Sequence, residues 1–203
     1  MGRVKYAVIC SSNQNRSMEA HALLSHKTTL RLLYRRKKGF DVCSYGSGNN
    51  VKLPGPTPDQ PNVYEFNTPY NDIYAELASK DNAFYTGNGI LSMLDRNRKI
   101  KTAPERFADA KPLFDVIITC EERVFDQVLE VLEARDSRTF RPVHIINIDI
   151  KDNHEEATVG AALIFKMCQA FDQADDLEVK IEEVLDEFQR KHARTLLHSI
   201  AFY

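Results

Sequence analysis

The sequence predicts a single α/β domain over residues 1–203, with three layers built around a four-stranded, mainly parallel sheet. Four apolar runs have the length of strands, and helical patterns lie between or after them. The chain has 203 residues, of which 43% are hydrophobic, enough for one well-filled core. Strands that alternate with helices are joined by right-handed crossovers, which make neighbouring strands parallel.

The first element is an apolar run at residues 6–9, typical of a buried parallel strand. A helical pattern follows at residues 17–24. The second strand is predicted at 39–45, where apolar and polar residues alternate. Two more continuous runs, at 114–120 and 143–150, predict the remaining strands.

Three longer helices are predicted from apolar residues at helical spacing. They cover residues 122–134, 155–171 and 177–191. Together with the first helix they supply the layers on the two faces of the sheet.

Residues 46–112 form a long insertion within the predicted domain, which we call the cap. Seven prolines lie within it, and its helical patterns are short, at about 71–80 and 90–97. Long irregular insertions are often lids or binding loops. The many Tyr and Phe residues in this segment favour an ordered cap beside the ligand site, with a purely structural cap as the alternative.

The clearest chemical signal is Cys10, followed after five intervening residues by Arg16 and then Ser17, where the first strand passes into the first helix. Parallel sheets bind ligands at this end of their strands. A loop of this kind can turn successive N–H groups towards one anion, and an arginine can close the ring with its planar fork. The phosphate-binding positions would be Ser11, Ser12, Asn13, Gln14, Asn15 and Arg16.

Positive surroundings that hold a phosphate dianion also stabilise a thiolate. Cys10 is therefore predicted to be a nucleophile, and Ser17 to donate its hydroxyl to the sulfur and stabilise it as a leaving group. The alternative interpretation is that Cys10 is an inert, buried cysteine at the end of a strand.

The composition of the chain argues against several other classes of protein. The net charge of −2 argues against binding nucleic acid by bulk charge, and no apolar run has the length of a membrane span. The four cysteines are widely spaced and the histidines form no ligand-spaced cluster, so we expect no metal, no cofactor and no disulfide framework. The N-terminus leaves no room for a secretory signal, so an intracellular soluble protein is expected.

Several ordered motifs resemble one known family: the RNA polymerase II carboxy-terminal-domain phosphatases of the pre-mRNA cleavage and polyadenylation machinery, which are similar in core fold to low-molecular-weight protein tyrosine phosphatases. The motifs are Cys-Ser-Ser-Asn-Gln-Asn-Arg-Ser-Met-Glu-Ala-His (10–21), Val-Lys-Leu-Pro-Gly (51–55), Pro-Asn-Val-Tyr (61–64), Met-Leu-Asp-Arg-Asn (93–97), Pro-Glu-Arg-Phe (104–107), Cys-Glu-Glu-Arg-Val (120–124), Asn-Ile-Asp-Ile-Lys-Asp-Asn (147–153) and Phe-Tyr (202–203).

The resemblance implies a metal-free phosphatase that acts on phosphoserine at the fifth heptad position of the polymerase tail, with the following proline in the cis form. It also implies docking on a symplekin-type scaffold. The expected location is nuclear, with a cytoplasmic pool as a second possibility.

Carried over by residue, the resemblance makes Cys10 the nucleophile and Arg16 the phosphoryl ligand. The general acid is an aspartate after the last predicted strand, either Asp152, in the better loop position, or Asp149. The peptide groove would use Lys52, Leu53, Pro54, Tyr85 and Met93, for which ordinary cap packing is the alternative.

One segment departs from the family pattern. The stretch between Leu24 and Gly39 is longer than expected and basic, so it is predicted either to lengthen the first helix or to form another from Thr28. Two rival functions stay open. One is arsenate reduction, which needs resolving thiols, although Asn15 occupies the loop position where a second cysteine could sit. The other is a catalytically impaired phosphopeptide-binding or scaffold protein.

Overall fold

The first strand has apolar side chains on both faces because both faces are covered. The computed structural model describes residues 3–25, 39–57, 59–135 and 139–203. Strand β1 spans Lys5–Cys10; Tyr6, Val8 and Cys10 face one buried cluster, while Ala7 and Ile9 face another. A strand enclosed in this way reads as a continuous apolar run, as the sequence indicated.

The other elements follow in chain order. They are α1 (Arg16–Ser25), β2 (Asp41–Gly46), β3 (Val51–Leu53), β4 (Asn62–Tyr64), α2 (Tyr70–Gly87), α3 (Ile90–Arg98), a 3₁₀ turn (Phe107–Asp109), β5 (Val116–Thr119), α4 (Glu122–Glu133), β6 (Pro142–Ile148), α5 (His154–Gln173), α6 (Leu177–His192) and β7 (Leu196–Phe202).

The main sheet has the order β2-β1-β5-β6-β7, in which the first four strands are parallel and β7 is antiparallel to β6. The predicted α/β class is therefore confirmed, but over the described residues the sheet has five strands where four were predicted. Both faces of β7 are only partly covered, so its sequence lacks a clear apolar alternation. It adds to the sheet through pairing along the whole of β6.

Helices cover both faces of the sheet. One cluster joins β1 to residues of α1, α5 and α6, and the other joins it to α4 and the 3₁₀ turn. The carbonyl of Leu24 accepts a 2.9 Å hydrogen bond from the N–H of Phe40, so the last turn of α1 lies beside the residue that precedes β2. The basic segment between them, residues 26–38, lies outside the described residues.

The cap has its own small core. Strands β3 and β4 pair antiparallel, and α2 is interrupted at Asp81, where φ is −160° and ψ is 90°. The predicted helix at 71–80 corresponds to the part of α2 before this break. Ile73, Leu77 and Leu94 are fully buried with Met18 of α1, and burial contributes about 1.5–3 kcal/mol for each such side chain. The cap is thereby fixed to the helix that begins at the Cys10 loop.

Among the described helices, none has the length and apolar character needed to cross a lipid bilayer.

Candidate active site

The loop between β1 and α1 owes its shape to Asn13. This residue has a φ of +52°, the left-handed region that Asn tolerates better than most residues. Its carboxamide Nδ2 lies 3.0 Å from Ser17 Oγ and 3.2 Å from Ser44 Oγ, and its Oδ1 accepts a 3.1 Å bond from the N–H of Glu105. Asn13 thus holds the loop in a turn at the N-terminus of α1.

The nucleophile candidate lies at the base of this loop. Cys10 is 3% exposed, and its Sγ is 3.1 Å from Ser17 Oγ. Because Ser17 Oγ accepts a hydrogen bond from Asn13, its own proton is free to be donated to the sulfur. The role of Ser17 as a donor to the sulfur needs this contact and stays a prediction.

Arg16 is fixed from one side. Its Nη1 donates to Glu121 Oε2 at 2.9 Å and to the carbonyl of Ile150 at 3.0 Å, and its Nη2 donates to Asp152 Oδ2 at 3.3 Å. Within the described residues its buried Nε has no partner. Burial opposes the charge, but the neighbouring Cys10 and Asp152 raise the pKa of the Arg16 guanidinium above its ordinary value. An anchored, charged guanidinium with an unmatched N–H is suited to bind a phosphoryl oxygen.

Sequence reasoning missed Glu121. Its Oε1 accepts a 2.6 Å bond from Ser11 Oγ, and its Oε2 accepts from Arg16. Partial burial works against its charge, but the hydrogen bonds from Ser11 and Arg16 outweigh it and hold the pKa of Glu121 below its ordinary value. A signal was present, since Glu121 follows the buried strand β5 within the Cys-Glu-Glu-Arg-Val motif.

The two candidate acids have different surroundings. Asp152 accepts hydrogen bonds from Arg16 and from Asn15 Nδ2, the latter at 3.0 Å, so it lies beside the loop. Asp149 instead accepts a 2.9 Å bond from Asn147 Nδ2, just beyond the end of β6. The geometry favours Asp152 as the carboxyl that can reach a ligand in the loop.

The five predicted groove residues divide into two groups. Lys52 and Pro54 are exposed, and the N–H of Lys52 lies 3.2 Å from Ser12 Oγ in the loop. The other three, Leu53, Tyr85 and Met93, are buried in the cap core. Only the exposed pair is accessible to a ligand, so the predicted contact of Leu53, Tyr85 and Met93 with a peptide could only be indirect, through the packing of the cap.

His21 of α1 contacts Ser44 of β2, the same residue that Asn13 of the loop contacts. Its Nδ1 is 2.8 Å from Ser44 Oγ, which also accepts from Asn13. Burial, with Lys101 nearby, lowers the pKa of His21 to about 4. The ring is therefore neutral at physiological pH.

We expect acid to destabilise the wild type more than His21→Gln. An unfolded histidine has a pKa of about 6.5, so between that value and about 4 the unfolded chain binds a proton that the folded chain does not. The contribution of neutral His21 to the free energy of unfolding is then fully present above about pH 6.5 and is lost as the pH falls towards 4. Urea unfolding at pH 7 and at pH 5 gives the free energy of unfolding at each pH. Between these two values the wild type should lose about 1 kcal/mol more of it than His21→Gln does, allowing for solvent screening. Equal pH dependence in both would contradict this.

Over the described residues, no group of three or more His, Cys, Asp or Glu side chains is arranged to hold a metal ion.

Comparison with known proteins agrees with this geometry. A family profile described as "Ssu72-like protein" matches residues 4–203. A human protein named as the RNA polymerase II C-terminal domain phosphatase SSU72 is 55% identical over 200 residues, covering 98% of this chain and 97% of that protein. The protein of the same name from Bos taurus is 56% identical with the same coverage. A crystal structure of Drosophila melanogaster Ssu72 with symplekin, bound to a cis peptidomimetic CTD peptide phosphorylated on the fifth-position serine, has a TM-score of 0.91 and 49% identity and covers 100% of both chains.

Proposed function

The chain belongs to the Ssu72-like family, and from this premise we propose that it is a phosphoprotein phosphatase with a cysteine nucleophile that acts on the C-terminal domain of RNA polymerase II. One observation carries the proposal. Cys10, the anchored guanidinium of Arg16 and the carboxylate of Asp152 converge on one loop at the carboxyl end of β1.

The reaction has two steps. The Cys10 thiolate attacks phosphorus in line, the bond from phosphorus to the serine oxygen breaks, and Asp152 gives its proton to that oxygen. Loop N–H groups and Arg16 stabilise the equatorial oxygens. Water then attacks the phosphocysteine while Asp152 accepts its proton, and the sulfur departs towards the hydroxyl of Ser17.

The contact between Asp152 and Arg16 fits this cycle. A bound phosphate dianion competes with Asp152 for Nη2 of Arg16. Substrate binding would thus release the carboxyl of Asp152 from the guanidinium before the first step.

The substrate is proposed to be phosphoserine at the fifth heptad position, followed by proline in the cis form. The cis peptidomimetic bound to the Drosophila relative supports this, as do Lys52 and Pro54, which are exposed beside the loop. A symplekin-type scaffold is the proposed partner, with a role in mRNA 3′-end processing. Association with the polymerase tail implies a nuclear role. We also propose that part of the protein is in the cytoplasm.

The rival functions account less well for the site. A pure binding protein has no need of a buried Cys10 in contact with Ser17, or of Asp152 beside Arg16. Arsenate reduction needs a resolving thiol in the loop, and Asn15 occupies that position.

We expect orthovanadate and phosphate to inhibit hydrolysis of a phosphoserine-proline peptide competitively, and EDTA to have no effect. The reason is that Arg16 and the loop N–H groups supply the positive field without a cation. Phosphate release with and without each compound is the measurement. Activity that EDTA abolishes and a divalent metal restores would overturn the cysteine mechanism.

A further inference from the structure

The carbonyl oxygens of the loop are held from its outer side by three residues of the cap. Tyr70 Oη donates to the carbonyl of Asn13 at 2.5 Å. Asn97 Nδ2 donates to the carbonyl of Gln14 at 2.8 Å, and Arg96 Nη2 donates to the same oxygen at 2.9 Å. The carbonyl of Asn15 lies 3.4 Å from that Arg96 nitrogen. We call Tyr70, Arg96 and Asn97 the carbonyl clamp.

The peptide plane gives these contacts a consequence for catalysis. In a trans peptide the C=O of one residue and the N–H of the next point in opposite directions. The carbonyl of Asn15 accepts its shorter bond, 2.8 Å, from the N–H of Glu19 in α1. Drawing the carbonyls of Asn13 and Gln14 towards the cap turns the N–H groups of Gln14 and Asn15 the other way. These N–H groups belong to the part of the loop that must surround a phosphoryl group.

The clamp itself is rigid. Tyr70 and Asn97 are fully buried. Asn97 Oδ1 accepts from Arg96 Nε at 3.0 Å and from its Nη2 at 2.9 Å, and Arg96 also forms an ion pair with Glu19. Two buried donors and a partly buried guanidinium, each tied to several acceptors, hold one orientation and add little reorganisation during the reaction.

We propose that Tyr70, Arg96 and Asn97 are positioning residues that orient the loop N–H groups for the transition state. This inference rests on the proposed function of the loop. Helices α2 and α3, which carry the clamp, also carry Tyr85 and Met93, so the cap that underlies the peptide surface also sets the geometry of the catalytic loop.

The test uses Tyr70→Phe, Asn97→Ala and Arg96→Lys, with Arg98→Lys as the matched control. Arg98 lies on the same helix, but its guanidinium contacts Asp95 and Asn71 at the surface. The substrate is a small aryl phosphate that does not depend on peptide contacts, and the second readout is the inhibition constant of orthovanadate, which mimics the transition state.

We expect kcat/KM to fall roughly 10-fold in Tyr70→Phe and roughly 10²-fold in Asn97→Ala, in proportion to the loss of oriented donors. The vanadate inhibition constant should rise by a similar factor in each variant. Arg96→Lys keeps the positive charge but loses the planar guanidinium with its several donors. Its kcat/KM should therefore lie between those of the wild type and Asn97→Ala. Arg98→Lys should match the wild type in both measurements.

Tyr70→Phe removes one oxygen and keeps the buried ring, so it remains decisive if Asn97→Ala fails to fold. A Tyr70→Phe protein with a lower melting temperature but the wild-type kcat/KM and vanadate inhibition constant would overturn the positioning role. If the wild type and Arg98→Lys themselves show no vanadate-sensitive hydrolysis, the proposed function fails, and the positioning role with it.

Discussion

Cys10→Ser is expected to lose hydrolysis of phosphoserine peptides by a factor of about 10⁴ or more, in line with the removal of other catalytic nucleophiles. The sulfur lies 3.1 Å from Ser17 Oγ at the N-terminal end of α1, at the base of the loop that would hold the phosphoryl group. A serine hydroxyl at the same place does not ionise to a useful extent and so cannot attack phosphorus.

The variant should still bind the phosphopeptide, because Arg16 and the loop N–H groups are unchanged. Calorimetry of Cys10→Ser with the phosphorylated and unphosphorylated peptides measures this directly. Cys43→Ser is the control, since that thiol lies in β2 and is half-buried away from the loop. If Cys10→Ser kept activity within about tenfold of wild type, another group would have to be the nucleophile.

Asp152→Asn is expected to slow hydrolysis of a phosphoserine peptide by about 10²–10⁴-fold, the usual effect of losing a general acid. A serine alkoxide leaves poorly without a proton, whereas a nitrophenolate leaves without one. The same variant should therefore hydrolyse p-nitrophenyl phosphate with a much smaller loss. Single-turnover rates of the variant and the wild type should be measured with both substrates, and the loss on the peptide should be compared with the loss on p-nitrophenyl phosphate.

Asp149→Asn is the matched control. Its carboxylate contacts Asn147 and does not contact Arg16, so we expect a small and similar loss with both substrates. If the loss that depends on the leaving group appeared in Asp149→Asn and was absent from Asp152→Asn, Asp149 would be the acid, and the role of Cys10 would be unaffected.

The parallel strands were predictable because burial on both faces leaves a simple apolar run, as in β1 and β5. The edge strand β7 was not, since residues that are half covered on both sides show no period. The end of α2 was missed for a related reason: the break at Asp81 ends the apolar pattern, although the helix resumes after it. Short-range sequence patterns therefore predict buried strands well. They predict edge strands and the ends of interrupted helices poorly.

The loop of the site was predictable because all its residues are contiguous in sequence. Residues that act on it from elsewhere were not. Glu121 reaches Arg16 across 105 positions, and Asn97 reaches Gln14 across 83. Such contacts depend on how strands and helices meet in space, which no local spacing records. Asp152 and Asp149 became candidates only because the resemblance directed attention to the loop after the last parallel strand.

The separation of these residues along the chain also bears on the order of folding. During synthesis, Cys10 and Arg16 emerge first, the clamp residues follow, and Glu121 and Asp152 come much later. A contact over more than 100 positions forms only after a long loop has been closed, which makes it a late and slow event. Cys10 and Arg16 therefore wait for their distant partners, because Glu121 and Asp152 reach Arg16 only once β5 and β6 have joined the sheet.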